Sequence, residues 1–284
     1  MSQKNHSRTV LLIGGSDSGG GAGLQADLRA LYAHGVAGAC VVTAATAQNP
    51  AAVRALNALP ARQVMAQLDA VLDDLDIAAI KIGMLGNAAI ARAVYQRIRD
   101  CRVPIVLDPV MIATSGGRLA SGAAVHVLRD QLLPLATVVT PNLPEAAALL
   151  GRPLPSLRER EAAARALVAM GSACALVKGG HGDGAHLVDI VAGHERIERH
   201  SARRLAIVAH GTGCTYASAI AAGLALGADP FAAIAQAHAY LQAALRVPLR
   251  LGSGGVCSPG FVAPPGMPSG LGTSSARRGA RSKP

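Results

Sequence analysis

The chain has 284 residues and a mass of 28.6 kDa; 51% are hydrophobic and 15% charged, and the mean hydropathy is +0.34. That length gives one large domain or two small ones with ample core, and the composition excludes a disordered chain, which would be poor in apolar residues and rich in charge. The net charge of +10 sits in good part at the two ends (Lys4, Arg8, Arg277, Arg278, Arg281, Lys283), and with aromatics at 2% and no Trp the chain lacks the features of a ring-stacking nucleic-acid reader.

Residues 1–8 are polar and expected to be disordered. Thr9–Ile13 reads as a first strand, not a signal peptide, because the glycine-rich stretch Gly14–Gly21 follows at once. Gly23–His34 carries Leu24, Leu28 and Leu31 on one helical face and stops at Gly35. Gly38–Ala45 is a strand and Pro60–Leu72 a helix with its proline at the start. Ala78–Ile82 is a strand, Ala88–Ile98 a helix, Ile105–Leu107 a strand, Ala123–Leu133 a helix and Thr137–Thr140 a strand. Pro144–Leu150 and Arg158–Met170 are helices, and Ala173–Lys178 is a strand. His186–Val191 and Glu195–Ser201 form a hairpin around Gly193. Gly213–Leu226 and Pro230–Leu245 are the closing helices. From Gly252 to Pro284 glycine, serine, proline and arginine dominate without periodicity, so residues 252–284 are expected to be a disordered tail.

Alternating short apolar runs and amphipathic helices indicate βαβ units. The strands are continuous apolar runs, which suits a parallel sheet buried on both faces. The expected fold is a single α/β domain over residues 9–251, with three α/β/α layers and a mostly parallel central sheet. The five cysteines are odd in number, widely spaced and without a CxxC pair. They argue for reduced thiols and a cytoplasmic protein. No segment supplies the about 20 apolar residues of a membrane span.

Ligands of such sheets bind at the carboxyl ends of the strands, and the unusual residues of this chain cluster there. His210-Gly211-Thr212-Gly213-Cys214-Thr215 leads into an apolar helix. A glycine turn at a helix start exposes unpaired N–H groups, so Gly211, Thr212 and Gly213 are candidates for an anion hole. Cys214 sits in the first helical turn, where a thiol pKa is lowered. It reads as a base or an orienting group beside a phosphate; a small buried cysteine is the structural alternative. Only four of the 27 basic residues are lysines. Two of them, Lys81 and Lys178, stand at strand ends, where a point charge suits better than the arginine fork. Lys178 could neutralise phosphate oxygens, and Lys81 is as consistent with a structural role as with a functional one. His181 is a loop histidine that could touch a ligand. Asp108 and Glu145 follow apolar strands expected to be neighbours, and such a pair can hold Mg²⁺ through its waters. Each acid alone would pass for a loop start or a first-turn helix acid. The glycine loop is neither a Walker A loop nor a G-x-G-x-x-G fingerprint. Gln48 pairs a donor with an acceptor and could read an aminopyrimidine edge, with Met84 and Val110 lining the ring.

Seven motifs in order (Gly15–Asp27, Ala47–Asn49, Lys81–Leu85, Asp108–Met111, Thr140–Ala146, Lys178–His181 and His210–Thr215) make the chain resemble the hydroxymethylpyrimidine/phosphomethylpyrimidine kinases of thiamine biosynthesis, within the ribokinase-like fold. The resemblance implies ATP- and Mg²⁺-dependent phosphorylation of 4-amino-5-hydroxymethyl-2-methylpyrimidine and then of its monophosphate. It implies substrate contacts at Gln48, Gly21, Ala22 and Gly23, a catalytic Cys214, a phosphate-contacting Lys178, and Asp108 and Glu145 near the magnesium. It also implies a homodimer. The chain departs from the family at Leu251–Phe261, in place of a Gly-His-Gly-x-Gly-Pro-like segment, and at the apolar Leu205–Ala209.

Three rivals stand beside this reading. A pyridoxal kinase, or a kinase with both activities, would use the same fold and anion pocket. A binding protein that senses a pyrimidine or nucleotide would keep the fold without catalysis, but would not require Cys214, Lys178 and Asp108. A nucleic-acid binder rests only on the basic ends.

Overall fold

The computed structural model describes residues 8–49, 52–111, 121–180, 184–252 and 254–264. The chain opens with β1 (Thr9–Asp17), α1 (Gly23–Ala33) and β2 (Ala37–Asn49), followed by β3 (Ala52–Ala58), α2 (Ala61–Leu72) and β4 (Ile77–Ile82). Next come α3 (Ala88–Ile98), β5 (Ile105–Leu107), α4 (Gly122–Val127), β6 (Val138–Val139), α5 (Leu143–Leu150), α6 (Leu157–Ala169) and β7 (Cys174–Val177). The last part holds β8 (His186–Ala192), β9 (Ile197–Arg203), β10 (Val208–Ala209), α7 (Thr212–Ala225), α8 (Pro230–Arg246), β11 (Leu249–Arg250) and β12 (Val256–Ser258).

Nine of the described strands form one sheet in the order β3-β2-β1-β4-β5-β6-β7-β8-β9, and β10, β12 and β11 form a second, three-stranded one. Pairing is parallel from β2 through β7 and antiparallel at both edges. Val10, Leu12, Ala79, Val106, Val138 and Leu176 point to one face, where they meet α1, α7 and α8. Leu11, Ile13, Ile80, Ile82, Leu107 and Val177 point to the other, beneath α2 to α6. Neighbouring residues of each strand thus enter opposite cores, so both must be apolar. This is the expected three-layer α/β/α arrangement.

Several boundaries differ from the sequence reading. The first strand runs on through Asp17 into the glycine stretch. The second runs to Asn49 and folds back as β3, a strand the sequence did not reveal. Arg54–Asn57 of β3 are exposed on both faces, so no alternation marks them. The helix expected over Ala123–Leu133 stays α-helical only to Val127. It continues as a π turn (Leu128–Leu132) and a 3-10 turn (Leu133–Leu135). Pro134 has no N–H to extend α-helical pairing there.

The tail expected from residue 252 is corrected at its start. Val256–Ser258 pair with both β10 and β11. Cys257 O accepts from His210 N at 2.8 Å, and Gly260 N donates to Ala244 O at 2.9 Å. Glycine and serine content hid a strand held by its backbone rather than by an apolar pattern.

Candidate active site

β2 and β4 lie on opposite sides of β1, so chain order reverses there. In open parallel sheets a crevice forms at such a point, beyond the carboxyl ends of the strands. Here it is a cavity of about 390 Å³ lined from the ends of β1, β4, β5, β6 and β7, the β2–β3 hairpin and the start of α7.

The start of α7 opens onto this cavity. Gly211 caps α7 with φ +78°, and a Cβ on it would stand 2.0 Å from Gly21 O, so only glycine fits. The first-turn N–H groups of Thr212, Gly213 and Cys214 have no acceptor within the helix. Opposite them, Lys178 Nζ lies 2.7 Å from Asp108 Oδ1, which also accepts from Thr140 Oγ1 at 3.0 Å. Burial opposes the charge of Asp108, but Lys178 and Lys81 outweigh it and hold the carboxyl below its ordinary value. The expected adjacency of the two acidic strands holds, since β5 and β6 pair. Glu145 shares a capping box with Asn142 at the start of α5: its Oε2 accepts from Asn142 N at 2.8 Å, and Asn142 Oδ1 accepts from Glu145 N at 2.9 Å. Burial pushes the Glu145 carboxyl up to about 7; Lys178 opposes this and Asp108 adds to it.

Among the described residues no group of three or more His, Cys, Asp or Glu could hold a metal ion. Magnesium does not ask for one, since it keeps several waters and takes one or two carboxylates plus substrate phosphates. Both bonds described for Asp108 use Oδ1; Oδ2 lies 3.8 Å from the Cβ position of Gly213, toward the anion hole. The Asp108–Glu145 pair fits such an ion.

Cys214 reaches the same cavity, but the lowered thiol pKa expected at a helix start is corrected. Burial pushes it up to about 11; Lys81 pulls down, while Asp27 and Asp108 add to the rise. The helix terminus does not outweigh removal from water. Lys81 is fully buried and paired with the buried Asp27 at 2.9 Å, and Ser218 Oγ donates to Asp27 at 2.8 Å. The pair ties β4 to α1 and α7, and both side chains line the cavity. Lys178 remains as the cation beside the anion hole.

The ring candidates share this cavity. Gln48, Ala22, Gly23, Met84 and Val110 all line the cavity. Met84 packs over Gly15, where a Cβ would fall 2.3 Å from its Cε, and Met84 O accepts from Thr43 Oγ1 at 2.7 Å. A Cβ on Gly23 would stand 2.3 Å from Gly15 O, which keeps that turn tight. Gly21 does not line the cavity. Its N–H donates to Asp17, its carbonyl accepts from Ser258 Oγ, and a Cβ on it would meet the His210 ring at 2.6 Å. It packs behind the site. His181 lies outside the described residues.

Sequence reasoning passed over Asp17, Thr46 and His210 as site residues. Asp17 organises the glycine loop: Oδ1 accepts from Gly19 N at 2.8 Å, and Oδ2 from Gly21 N at 3.0 Å and Ala22 N at 2.8 Å. An aspartate inside a glycine run is the available signal, because its short side chain binds nearby N–H groups. Asp189, Tyr216 and His238 line the cavity beyond the anion hole, and no spacing in the sequence joins them.

A three-layer fold on a mostly parallel sheet, with a glycine-capped helix start opening onto a small-molecule-sized cavity, places the chain among the kinases of the ribokinase-like class. Within that class the chain belongs to the phosphomethylpyrimidine kinase family, whose model matches residues 17–258. It is 47% identical over 245 residues to the hydroxymethylpyrimidine/phosphomethylpyrimidine kinase of Rhizobium meliloti (strain 1021), covering 85% of this chain and 92% of that protein. Among solved structures it is similar to phosphomethylpyrimidine kinase from Clostridium difficile 630, at TM-score 0.75 and 35% identity, covering 84% of this chain and 100% of that one. It is also similar to an ADP complex of Bacillus subtilis pyridoxal kinase, at TM-score 0.83 and 31% identity, covering 90% and 98%.

Proposed function

We propose that this protein uses ATP to phosphorylate 4-amino-5-hydroxymethyl-2-methylpyrimidine and then its monophosphate, giving the diphosphate used in thiamine biosynthesis. The observation that carries the reading is the placement of Gln48 and the Gly211–Cys214 helix start on one cavity, with Lys178 and Asp108 opposite the helix. A ring read by Gln48 brings its substituent to the anion hole.

Phosphoryl transfer needs positioning and charge neutralisation more than covalent help. The N–H groups of residues 212–214 hold the transferring group, and Lys178 neutralises its oxygens. Asp108 and Glu145 would hold magnesium, which when bound screens phosphate charge. With its pKa near 11, Cys214 carries its proton at neutral pH. It therefore orients the acceptor hydroxyl and does not act as a ready-made thiolate base. Met84 and Val110 exclude water from the ring.

A second reading, turnover of pyridoxal, is favoured by the TM-score of 0.83 to a pyridoxal kinase. Magnesium-dependent ADP release from the purified protein, with both rings side by side and products resolved, tests both. Pyrimidine diphosphate is the expected product; turnover of pyridoxal alone would overturn the substrate. Cytoplasmic location and a homodimer belong to the same proposal. The five free cysteines support the first, and sedimentation tests the second.

A further inference from the structure

Gln48 is a primary amide whose oxygen and nitrogen ends have the same shape, so its neighbours decide which end points where. The nitrogen end lies 2.8 Å from His210 Nε2, and the oxygen end 3.4 Å from Thr46 Oγ1. His210 Nε2 also lies 3.3 Å from Asp17 Oδ2. Burial opposes the charge of Asp17, but His210 and the N–H groups of Ala22 and Gly19 hold its carboxyl below the ordinary value. An ionised carboxylate only accepts. The imidazole nitrogen facing it must carry the proton, and that same N–H meets Gln48, which can answer only with its oxygen. On the other side, Thr46 Oγ1 donates its one proton to Ser16 O at 2.9 Å. Toward Gln48 it offers lone pairs alone, which call for the amide N–H. Both neighbours therefore ask for the reverse of the arrangement in which two nitrogens meet.

We propose that His210 and Thr46 lock the Gln48 amide with its oxygen toward His210 and its nitrogen toward Thr46, and so fix the sense in which the pocket reads a ring edge. The oxygen keeps a lone pair for a ring amino group, and the nitrogen keeps a proton for the adjacent ring nitrogen. A ring with an oxo group beside a ring N–H presents the inverse pattern and meets like against like. His210 and Thr46 are positioning residues; the ring in question rests on the proposed function, whereas the lock itself does not.

The imidazole nitrogen shifts of the ligand-free ¹⁵N-labelled protein test the lock directly, with the His210 signals assigned by their loss in His210→Asn. A protonated Nε2 is expected; a bare Nε2 with a protonated Nδ1 would overturn the proposal. The consequence is read from kcat/KM for the amino ring against its oxo analogue. Thr46→Val and His210→Asn should each lower that ratio about tenfold, the weight of one hydrogen bond, and the double variant should lower it further. An unchanged ratio in both single variants would also overturn it. If the wild type turns over pyridoxal and neither pyrimidine, the substrate reading fails, and the nitrogen shifts still decide the lock.

Discussion

Gly213 and Lys178 face each other so closely that a β-carbon on the glycine would stand 3.2 Å from the ammonium nitrogen. Gly213 lies in the first turn of α7, where alanine is the better helix former. Its absence there is explained by the lysine. Gly213→Ala should leave the melting temperature nearly unchanged while displacing the ammonium from the anion hole. A fall in kcat of at least about tenfold is expected in steady-state ADP release, in line with loss of one charge-stabilising group. Full activity would mean that Lys178 does not act on the transferring phosphate.

The raised Cys214 pKa separates an orienting thiol from a resident thiolate. Alkylation of Cys214 by iodoacetamide, followed by peptide mass spectrometry, should be slow at pH 7 and quicken steadily as pH rises toward about 11. A plateau by pH 7 would show a thiolate instead. Cys214→Ala should slow the first phosphorylation, by up to about a hundredfold through misplacement of the hydroxyl, more than the second, whose acceptor is already a phosphate. Equal loss in both steps would assign Cys214 to binding or structure.

Asp17 couples loop geometry to pH. Its pKa is lowered in the folded protein, so its stabilising effect is fully present above the unfolded value near 3.8 and is lost as pH falls through the folded value. The difference in melting temperature between the wild type and Asp17→Asn should be largest near pH 7 and shrink below pH 4. A difference constant across that range would show that the loop does not depend on the charge.

Asp27 and Lys81 are each about 1% exposed, and neither can be removed alone without stranding the other. Asp27→Asn should destabilise the protein by about 3–5 kcal/mol in urea titration. The double variant Asp27→Leu/Lys81→Met should recover much of that loss, because it leaves no unpaired buried charge. Failure to recover would mean that the pair is needed for more than mutual neutralisation.

Most of the sheet was legible because its strands are apolar on both faces, and Ile105–Leu107 appears where the pattern places it. The glycine-capped start of α7 was legible because glycine and a helix start are local features. β3 and β12 were not, since neither buries a periodic apolar face. Nor were the contacts that orient Gln48: His210 lies 162 positions away along the chain, and only the meeting of β1, the β2–β3 hairpin and α7 joins them. The Cys214 pKa was misjudged for the same reason. A helix start is visible in sequence, but the depth at which it lies is not.

The last strand bears on how the protein is made. Ser258 Oγ bonds Gly21 O across 237 positions, and Arg29 reaches the same hydroxyl at 3.2 Å. Synthesis proceeds from the N-terminus, so the glycine loop leaves the ribosome well before the strand that braces it, 237 positions later. The nascent chain can build its parallel sheet while elongation continues, but the loop is finished only when residue 258 has emerged. A translation product that stops before residue 258 would therefore carry a folded parallel sheet and an unbraced glycine loop.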